Sequence, residues 1–492
     1  MIEVIDLFAG PGGLGEGFSL YRIGKRPAFK VCISIEKEKF AHQTLLLRSF
    51  YRQFTKPPKE YYDYLHRKIT KEVLFEKYPK QAKSAKEEAW LAELGNENFP
   101  HKIISKRIRE KLNLSKEYIV IGGPPCQAYS LVGRSKMSKK DDFEEDPRHT
   151  LYKEYLKIIA EFNPAVFIME NVKGILSAKL NGEHIFDRIL EDIQKPSLIL
   201  EPNKKQFKAN ETYSIYSLVA DKPIEKLKRT DFTINCEEYG IPQRRHRVIL
   251  VAVRNDIKEK PKQLKKSKSI VNVQDVINDL PKLRSGLSKI TDTSGNWEKE
   301  ILKEFSDAEI SKNLNRGAEF IPVDVTPLEY KNWFKDKNLQ GVLNHTTRSH
   351  ISSDLHRYYF ASDFAKQYGA SPKLKDFPKK LLPNHKNVKK AIKSGSLFND
   401  RFKVQMADKP STTITSHISK DGHYFIHYDS AQCRSLTVRE AARIQTFPDN
   451  YKFEGPRTSQ YQQVGNAVPP LLAHQIAKVV YELISSGTID NK

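Results

Sequence analysis

The sequence predicts an α/β protein built on a mostly parallel sheet, and three observations carry that expectation. Short β-branched runs recur at residues 2 to 8, Val31-Cys32-Ile33-Ser34-Ile35, Tyr118 to Ile121 and Ala165-Val166-Phe167-Ile168-Met169, and their unbroken apolar character suits strands covered on both faces. Helical patterns lie between them, as from about Leu151 to Phe162. Each run ends in glycine or an ionisable residue, which is the composition expected at the carboxyl edge of an open α/β sheet, where ligands sit.

The first run ends in Asp6-Leu7-Phe8 and passes into Ala9-Gly10-Pro11-Gly12-Gly13-Leu14-Gly15-Glu16-Gly17-Phe18. Its glycines allow a tight turn and close backbone approach, and a helix opening near Leu14 would aim its N–H groups at a ligand. The turn does not match G-x-G-x-x-G in strict form. Glu36 closes the second run about 20 residues later, where a carboxylate can accept ribose hydroxyls; a surface carboxylate or helix cap is the alternative. From about Arg48 to Lys116 the chain is rich in lysine, glutamate and tyrosine, with helical spacing in Tyr61 to Tyr78 and Ala82 to Leu94, and reads as a helical insertion.

The third run is stopped by Gly122-Gly123-Pro124-Pro125, which presents Cys126 at a strand end. Taken alone, this stretch is equally an ordinary turn carrying a small buried cysteine. The polar stretch from Leu131 to about Arg148 is a lid or a surface loop. Glu170 tops the fourth run. Thr233-Ile234-Asn235 and Arg247 to Val253 read as a strand pair, and the connecting Gln243-Arg244-Arg245-His246 gathers positive charge that calls for anionic or carbonyl partners. Beyond Asp256 the alternation stops. Residues 257 to about 405 carry lysine runs and scattered aromatics, and His345, Arg348, His350, His356 and Arg357 match no zinc spacing, so they read as polar packing or phosphate contacts. Near the end, Thr437 stands three before Glu440 as a capping box, and Gly465-Asn466-Ala467 precedes an amphipathic helix from about Leu471 to Ile484.

The 492 residues exceed one core and predict two domains. Lys+Arg 83 against Asp+Glu 60 gives a net charge of +23, which favours a polyanionic partner. A mean hydropathy of −0.59 without a long apolar stretch predicts no membrane span, and Met1-Ile2-Glu3-Val4-Ile5-Asp6 lacks a basic leader. Four cysteines without C-x-x-C spacing fit a reducing compartment and argue against structural zinc.

Together these blocks resemble, in kind and order, the cytosine-5 DNA methyltransferase family of the bacterial modification type, over residues 1 to 47, 117 to 255 and about 408 to 480. The resemblance implies a Rossmann-like large domain that binds S-adenosylmethionine, with no metal, and a smaller, irregular target-recognition domain. The implied division is 1–256 with the insertion at about 48–116, then 257–433, then a return to the catalytic domain at 434–492. Phe8, Gly10, Gly12, Gly13 and Leu14 would line the methionine and ribose side of the cofactor, Glu36 would take the ribose hydroxyls, and Pro124 with Asn466, Ala467 and Val468 would complete the pocket. Cys126 would be the nucleophile, Glu170 the partner of the cytosine edge, and Arg245 and Arg247 would hold the base carbonyl and the site's geometry. The insertion stands where the family has its third strand and an acidic residue for the adenine amine, with Leu94-Gly95-Asn96-Glu97 a distorted counterpart. Implied partners are double-stranded DNA and a cognate restriction endonuclease, for a monomer working in the cytoplasm on nucleoid DNA. The chemistry needs these residue types: thiolate addition to C6 makes C5 nucleophilic, an acid at N3 relieves charge on the ring, and the base must leave the stack.

Overall fold

The computed structural model describes residues 1–124, 147–180, 182–384, 388 and 399–487. Cys126 and most of the stretch from Leu131 to Arg148 lie outside the described residues.

The elements that position the site, in chain order, are β1 (Ile2–Leu7), α1 (Gly13–Leu20), β2 (Phe29–Glu36), α2 (Lys39–Arg52), β3 (Ala89–Leu91), α3 (His101–Lys111), β4 (Tyr118–Gly122), α4 (Pro147–Phe162), β5 (Val166–Val172), α5 (Ile185–Gln194), β6 (Tyr213–Tyr216), β7 (Thr233–Asn235) and β8 (His246–Arg254). They form one sheet in the order β6-β8-β5-β4-β1-β2-β3, with β7 also on β8. β1 to β5 run parallel, whereas β8 is antiparallel to β5, β6 and β7. This is the α/β architecture expected from the apolar runs.

The sheet is covered on both faces, and period-two alternation assigns the residues. Val4, Val31, Ile121 and Ile168 face α1 and the C-terminal helix, where they share a core with Leu14, Phe18, Leu472 and Ile476. Ile5, Ile33, Val120 and Phe167 point the other way, onto Ile104 and Ile108 of α3, Ile158 and Ile159 of α4 and Phe186 of α5. Gly17 lets α1 approach the C-terminal helix closely: a Cβ there would lie 2.4 Å from that of Ala473.

Two sequence expectations need correction. The spacing from Ala82 to Leu94 predicts helix, but the helix ends at Glu88 and Ala89–Leu91 pairs parallel with Ser34, Ile35 and Glu36. Hydrogen bonding along the free edge of β2 outweighs the local helix propensity of alanine and leucine. The third strand is therefore present within the insertion, whose helices include Lys59–Leu65, Lys71–Lys77, Pro79–Glu88 and His101–Lys111. The region beyond Asp256 is less irregular than expected as well, since it contains the long helix α6 (Ser352–Tyr368). Leu355, Tyr358, Ala361 and Ala365 of α6 are buried, but the polar residues between them blur the periodicity.

The chain closes with α7 (Val438–Ile444), α8 (Arg457–Asn466) and α9 (Pro470–Gly487). Thr437 and Glu440 form the capping box the spacing predicts. Gly465 and Asn466, expected in a Gly-Asn-Ala turn, are instead the last residues of α8, and the break falls at 467–469. Leu436, Val438, Ala441, Tyr461 and Ala467 share a core with Val271, Val276, Phe334 and Ile414, whereas Val468 and α9 belong to the core of the sheet. The chain thus crosses from one core to the other between Ala467 and Val468.

Much of the buried charge is structural. Arg434 donates to both oxygens of Glu440 (2.7 and 2.6 Å) and Arg443 to both of Asp449 (2.8 and 2.9 Å). Arg439 is satisfied by the carbonyls of Leu343, Pro448 and Tyr451. Burial opposes ionisation of Glu440, yet Arg434 holds its carboxyl well below the usual range. His345 is bonded through both ring nitrogens, to Thr437 Oγ1 and the Pro281 carbonyl (2.8 and 2.9 Å). Arg348 donates to the carbonyls of Ile418 and Lys420, and His356 Nε2 lies 2.7 Å from the Glu300 carbonyl. His345, Arg348 and His356 are thus polar packing, as is Arg357, which donates to the Leu381 carbonyl and Asp354. Among the described residues no helix is long and apolar enough to cross a membrane.

Candidate active site

At the carboxyl edge of β1, β2, β4 and β5 lies a cavity of about 450 Å³. Phe8, Gly10, Gly13 and Leu14 line it from the turn after β1, Glu36 from the end of β2, Pro124 from the segment after β4, Glu170 from β5, and Asn466, Ala467 and Val468 from the α8–α9 break. Residues separated by more than 400 positions meet there because α9 returns against α1. Gly12 is not part of the lining; its φ of +96° shapes the turn from behind, against Leu45 and Tyr451.

The turn is strained and braced. Phe8 holds a φ of +55°, a left-handed conformation that costs a non-glycine residue on the order of 1 kcal/mol and often marks functional backbone. Gly13 is packed so tightly that a Cβ would stand 2.3 Å from the Val468 carbonyl oxygen. The Tyr451 hydroxyl donates to the Pro11 carbonyl. Arg48, stacked over Tyr51 and Tyr451 at 4.0 and 4.9 Å from their ring centres, donates to both oxygens of Glu16 on α1 (2.9 and 2.5 Å).

Carboxylates dominate the lining: Asp6, Glu36, Glu38, Glu93 and Glu170 face one lysine, Lys37. Glu36 accepts the Gly10 N–H at 2.8 Å and the Glu38 N–H at 2.7 Å, one on each oxygen, so the carboxylate is aimed while each oxygen keeps a free lone pair. Burial raises its pKa, and those N–H groups oppose the rise. Asp6 is only 1% exposed, and neither of its oxygens meets a hydrogen-bond donor among the described residues. Burial pushes its carboxyl up to about 8, against the Arg52 guanidinium and with Glu36 and Glu88 adding to the rise.

Glu170 Oε1 pairs with Arg247 Nε at 2.9 Å, while Oε2 faces Gly123, where a Cβ would come within 3.0 Å. Asn171 Nδ2 donates to the Pro124 carbonyl at 3.4 Å, which ties β5 to the segment leading to Cys126. Arg245 is placed differently from Arg247. It is 1% exposed, and its Nη1 donates to the carbonyls of Ile414 (2.9 Å) and Gly465 (3.3 Å), with Nε lacking a partner among the described residues. Burial, with the Arg247 charge adding, lowers its pKa to about 9. Beside it, Gln243 donates to Gln445, which donates to the Val464 and Ala467 carbonyls. The Gln-Arg-Arg-His turn thus fastens the α8–α9 break to the sheet.

The cavity also includes Ala92, Glu93, Leu94, Asn171, Gln462 and Gln463, which sequence reasoning did not assign. Recognising Ala89–Leu91 as a strand would have placed Ala92 to Leu94 at a strand end, and Ala92 N–H donates to the Glu36 carbonyl at 3.0 Å. Among the described residues no group of three or more His, Cys, Asp or Glu could hold a metal ion.

The profile of the family described as C-5 cytosine-specific DNA methylase matches residues 83–197 and 225–482. The Type II methyltransferase M.Bpa9945I of Bacillus paralicheniformis is 36% identical over 506 aligned residues, covering 98% of this chain and 99% of that protein. The Type II methyltransferase M.DdeI of Desulfomicrobium norvegicum is 26% identical over 500 residues, covering 97% and 88%. The chain belongs to the C-5 cytosine-specific DNA methylase family and is a DNA cytosine-5-methyltransferase.

Proposed function

We propose that the chain transfers a methyl group from S-adenosylmethionine to C5 of a cytosine extruded from a specific duplex DNA sequence, through a covalent adduct with Cys126. The observation that carries this reading is that one cavity gathers the glycine turn, Glu36, Pro124, the α8–α9 break and Glu170. The cavity suits that cofactor: it is rich in carboxylates, which favour a cation carrying an ammonium and a sulfonium, and Glu36 is oriented by two N–H groups to accept ribose hydroxyls. Asp6 adds a buried carboxylate that meets no hydrogen-bond donor among the described residues. When bound, the cofactor supplies an electrophilic methyl group.

The chain's residues then have separate tasks. Phe8, Gly10, Gly13 and Leu14 hold the methionine and ribose side, with Gly12 shaping the turn, and Val468 closes the pocket over Gly13. The Cys126 thiolate adds to cytosine C6, which makes C5 nucleophilic. Glu170 holds the N3 edge and relieves the charge that builds there, and Arg247 fixes the glutamate's orientation. Arg245 acts through the α8–α9 break, as a positioning residue. After transfer, loss of the C5 proton and expulsion of the thiol restore the aromatic ring. Extrusion of the base is required because C6 is inaccessible in a stacked duplex.

Residues 257–433 would read the duplex, with 1–256 and 434–492 holding cofactor and chemistry. Relatives named Type II methyltransferases support a role as the protective half of a restriction–modification system; a cognate endonuclease, a monomeric state and a cytoplasmic site of action complete the proposal. The test is incubation with labelled S-adenosylmethionine and either mixed-sequence duplex DNA or RNA, followed by digestion to nucleosides. Label in 5-methyldeoxycytidine is the expected result; no transfer to duplex DNA by folded protein, or transfer to RNA alone, contradicts it.

A further inference from the structure

A second, open cavity of about 1020 Å³ adjoins the first, lined by Val172, Lys173, Gly174, Leu176, Ser177, Asp187 and residues 227–230. Val172 lines both cavities, so the strand that carries Glu170 runs two residues further into this groove. The floor and the rim differ in chemistry. Val172, Leu176 and Leu227 give an apolar floor, and Lys173, Lys228 and Arg229 stand around it. Asp187, the one carboxylate among the described residues of the lining, is neutralised by Arg229 through two bonds of 2.8 and 2.6 Å. Lys173 and Lys228 are exposed, and neither forms an ion pair among the described residues. An apolar floor with unpaired ammonium groups at its edge suits a nucleotide, whose base and sugar need contact area and whose phosphate needs charge.

We propose that this groove receives the nucleotide neighbouring the extruded cytosine on the same DNA strand, with Lys173 and Lys228 on its flanking phosphates and its base and sugar over Val172, Leu176 and Leu227. Two features select this occupant over a protein segment: the groove shares Val172 with the cavity that takes the target base, and the charge left unpaired among its described residues is positive. The proposal rests on the reading given under Proposed function and names residues that hold the DNA near the reacting base.

The experiment is equilibrium binding to a mixed-sequence duplex over a range of salt concentrations, for the full chain and for Lys173→Ala/Lys228→Ala. Each phosphate contact contributes about 0.9 to the slope of log affinity against log salt, so the double variant should flatten the slope by nearly two. Affinity should fall about tenfold or more at low salt, with KM for DNA raised, kcat and cofactor KM retained, and Lys173→Arg/Lys228→Arg restoring the slope. Lys262→Ala is the control; its ammonium pairs with Glu482 at 3.3 Å. A double variant with the parent slope overturns the proposal, and so does an equal loss in Lys262→Ala, which would make the effect one of net charge alone. Failure of the unaltered protein to methylate duplex DNA would instead remove the reading of the first cavity.

Discussion

The two cavities that meet at Val172 carry opposite chemistry. Among the described residues, one is lined by Asp6, Glu36, Glu38, Glu93 and Glu170 against Lys37; the other has Lys173, Lys228 and Arg229 around an apolar floor, with Asp187 already paired. Only Asn171 and Val172 separate Glu170 from Lys173 in the sequence. A protein that joins a cationic methyl donor to a polyanion needs such a division, because one sign of charge across both cavities would exclude one of the two ligands. The +23 net charge is therefore a poor guide to where either ligand binds, since Arg434, Arg439 and Arg443 are buried and occupied within the chain.

The contrast can be broken at several points. The largest effect is expected from Cys126→Ser, which should lower methyl transfer by roughly 10⁴-fold or more while leaving cofactor affinity and the salt slope of DNA binding in place. Loss of either binding property would mean that Cys126 supports the cavities rather than the chemistry. Next, Glu36→Ala removes the acceptor proposed for the ribose hydroxyls; two charge-assisted hydrogen bonds of about 1.5 kcal/mol each predict cofactor affinity weakened about 100-fold by calorimetry, with DNA binding unaltered.

Asp6 sharpens the comparison through pH. The folded chain holds the Asp6 proton up to about 8, whereas an unfolded chain releases it near about 4. Between those values the folded state binds the additional proton, so this group's contribution to stability declines as pH rises through that window, and Asp6→Asn should abolish the decline in thermal unfolding. A cationic cofactor favours the ionised carboxylate, so its affinity should rise up to about tenfold between pH 6 and 8 and lose that rise in Asp6→Asn, while the salt slope for DNA is unchanged. The smallest effect belongs to Tyr451→Phe, which deletes one bond to the Pro11 carbonyl, worth about 1 kcal/mol; cofactor KM should increase a few-fold with kcat retained.

What the sequence disclosed follows a physical division. The α/β class and the glycine turn, Glu36 and Glu170 were legible because each sits at the end of an apolar run or at a turn with its own composition, whereas Asn466, expected in a turn, ends α8. The third strand was hidden because Ala89, Trp90 and Leu91 become a strand only by pairing with β2, a contact 55 residues away that local propensity does not record. α6 was missed because its buried residues alternate with polar ones. The role of Arg245 depends on carbonyls at Ile414 and Gly465, and the basic groove depends on the juxtaposition of 173–177 with 227–230, so neither leaves a local pattern.

The most direct measurement is mass spectrometry of the protein after incubation with S-adenosylmethionine and duplex DNA in which cytosine is replaced by 5-fluorocytosine. Fluorine at C5 blocks the proton loss that releases the enzyme, so the adduct should persist, with the nucleotide attached to the peptide containing Cys126. An adduct on Cys32, Cys236 or Cys433, or methylation of ordinary duplex DNA with no trapped species on the fluorinated one, would contradict the account.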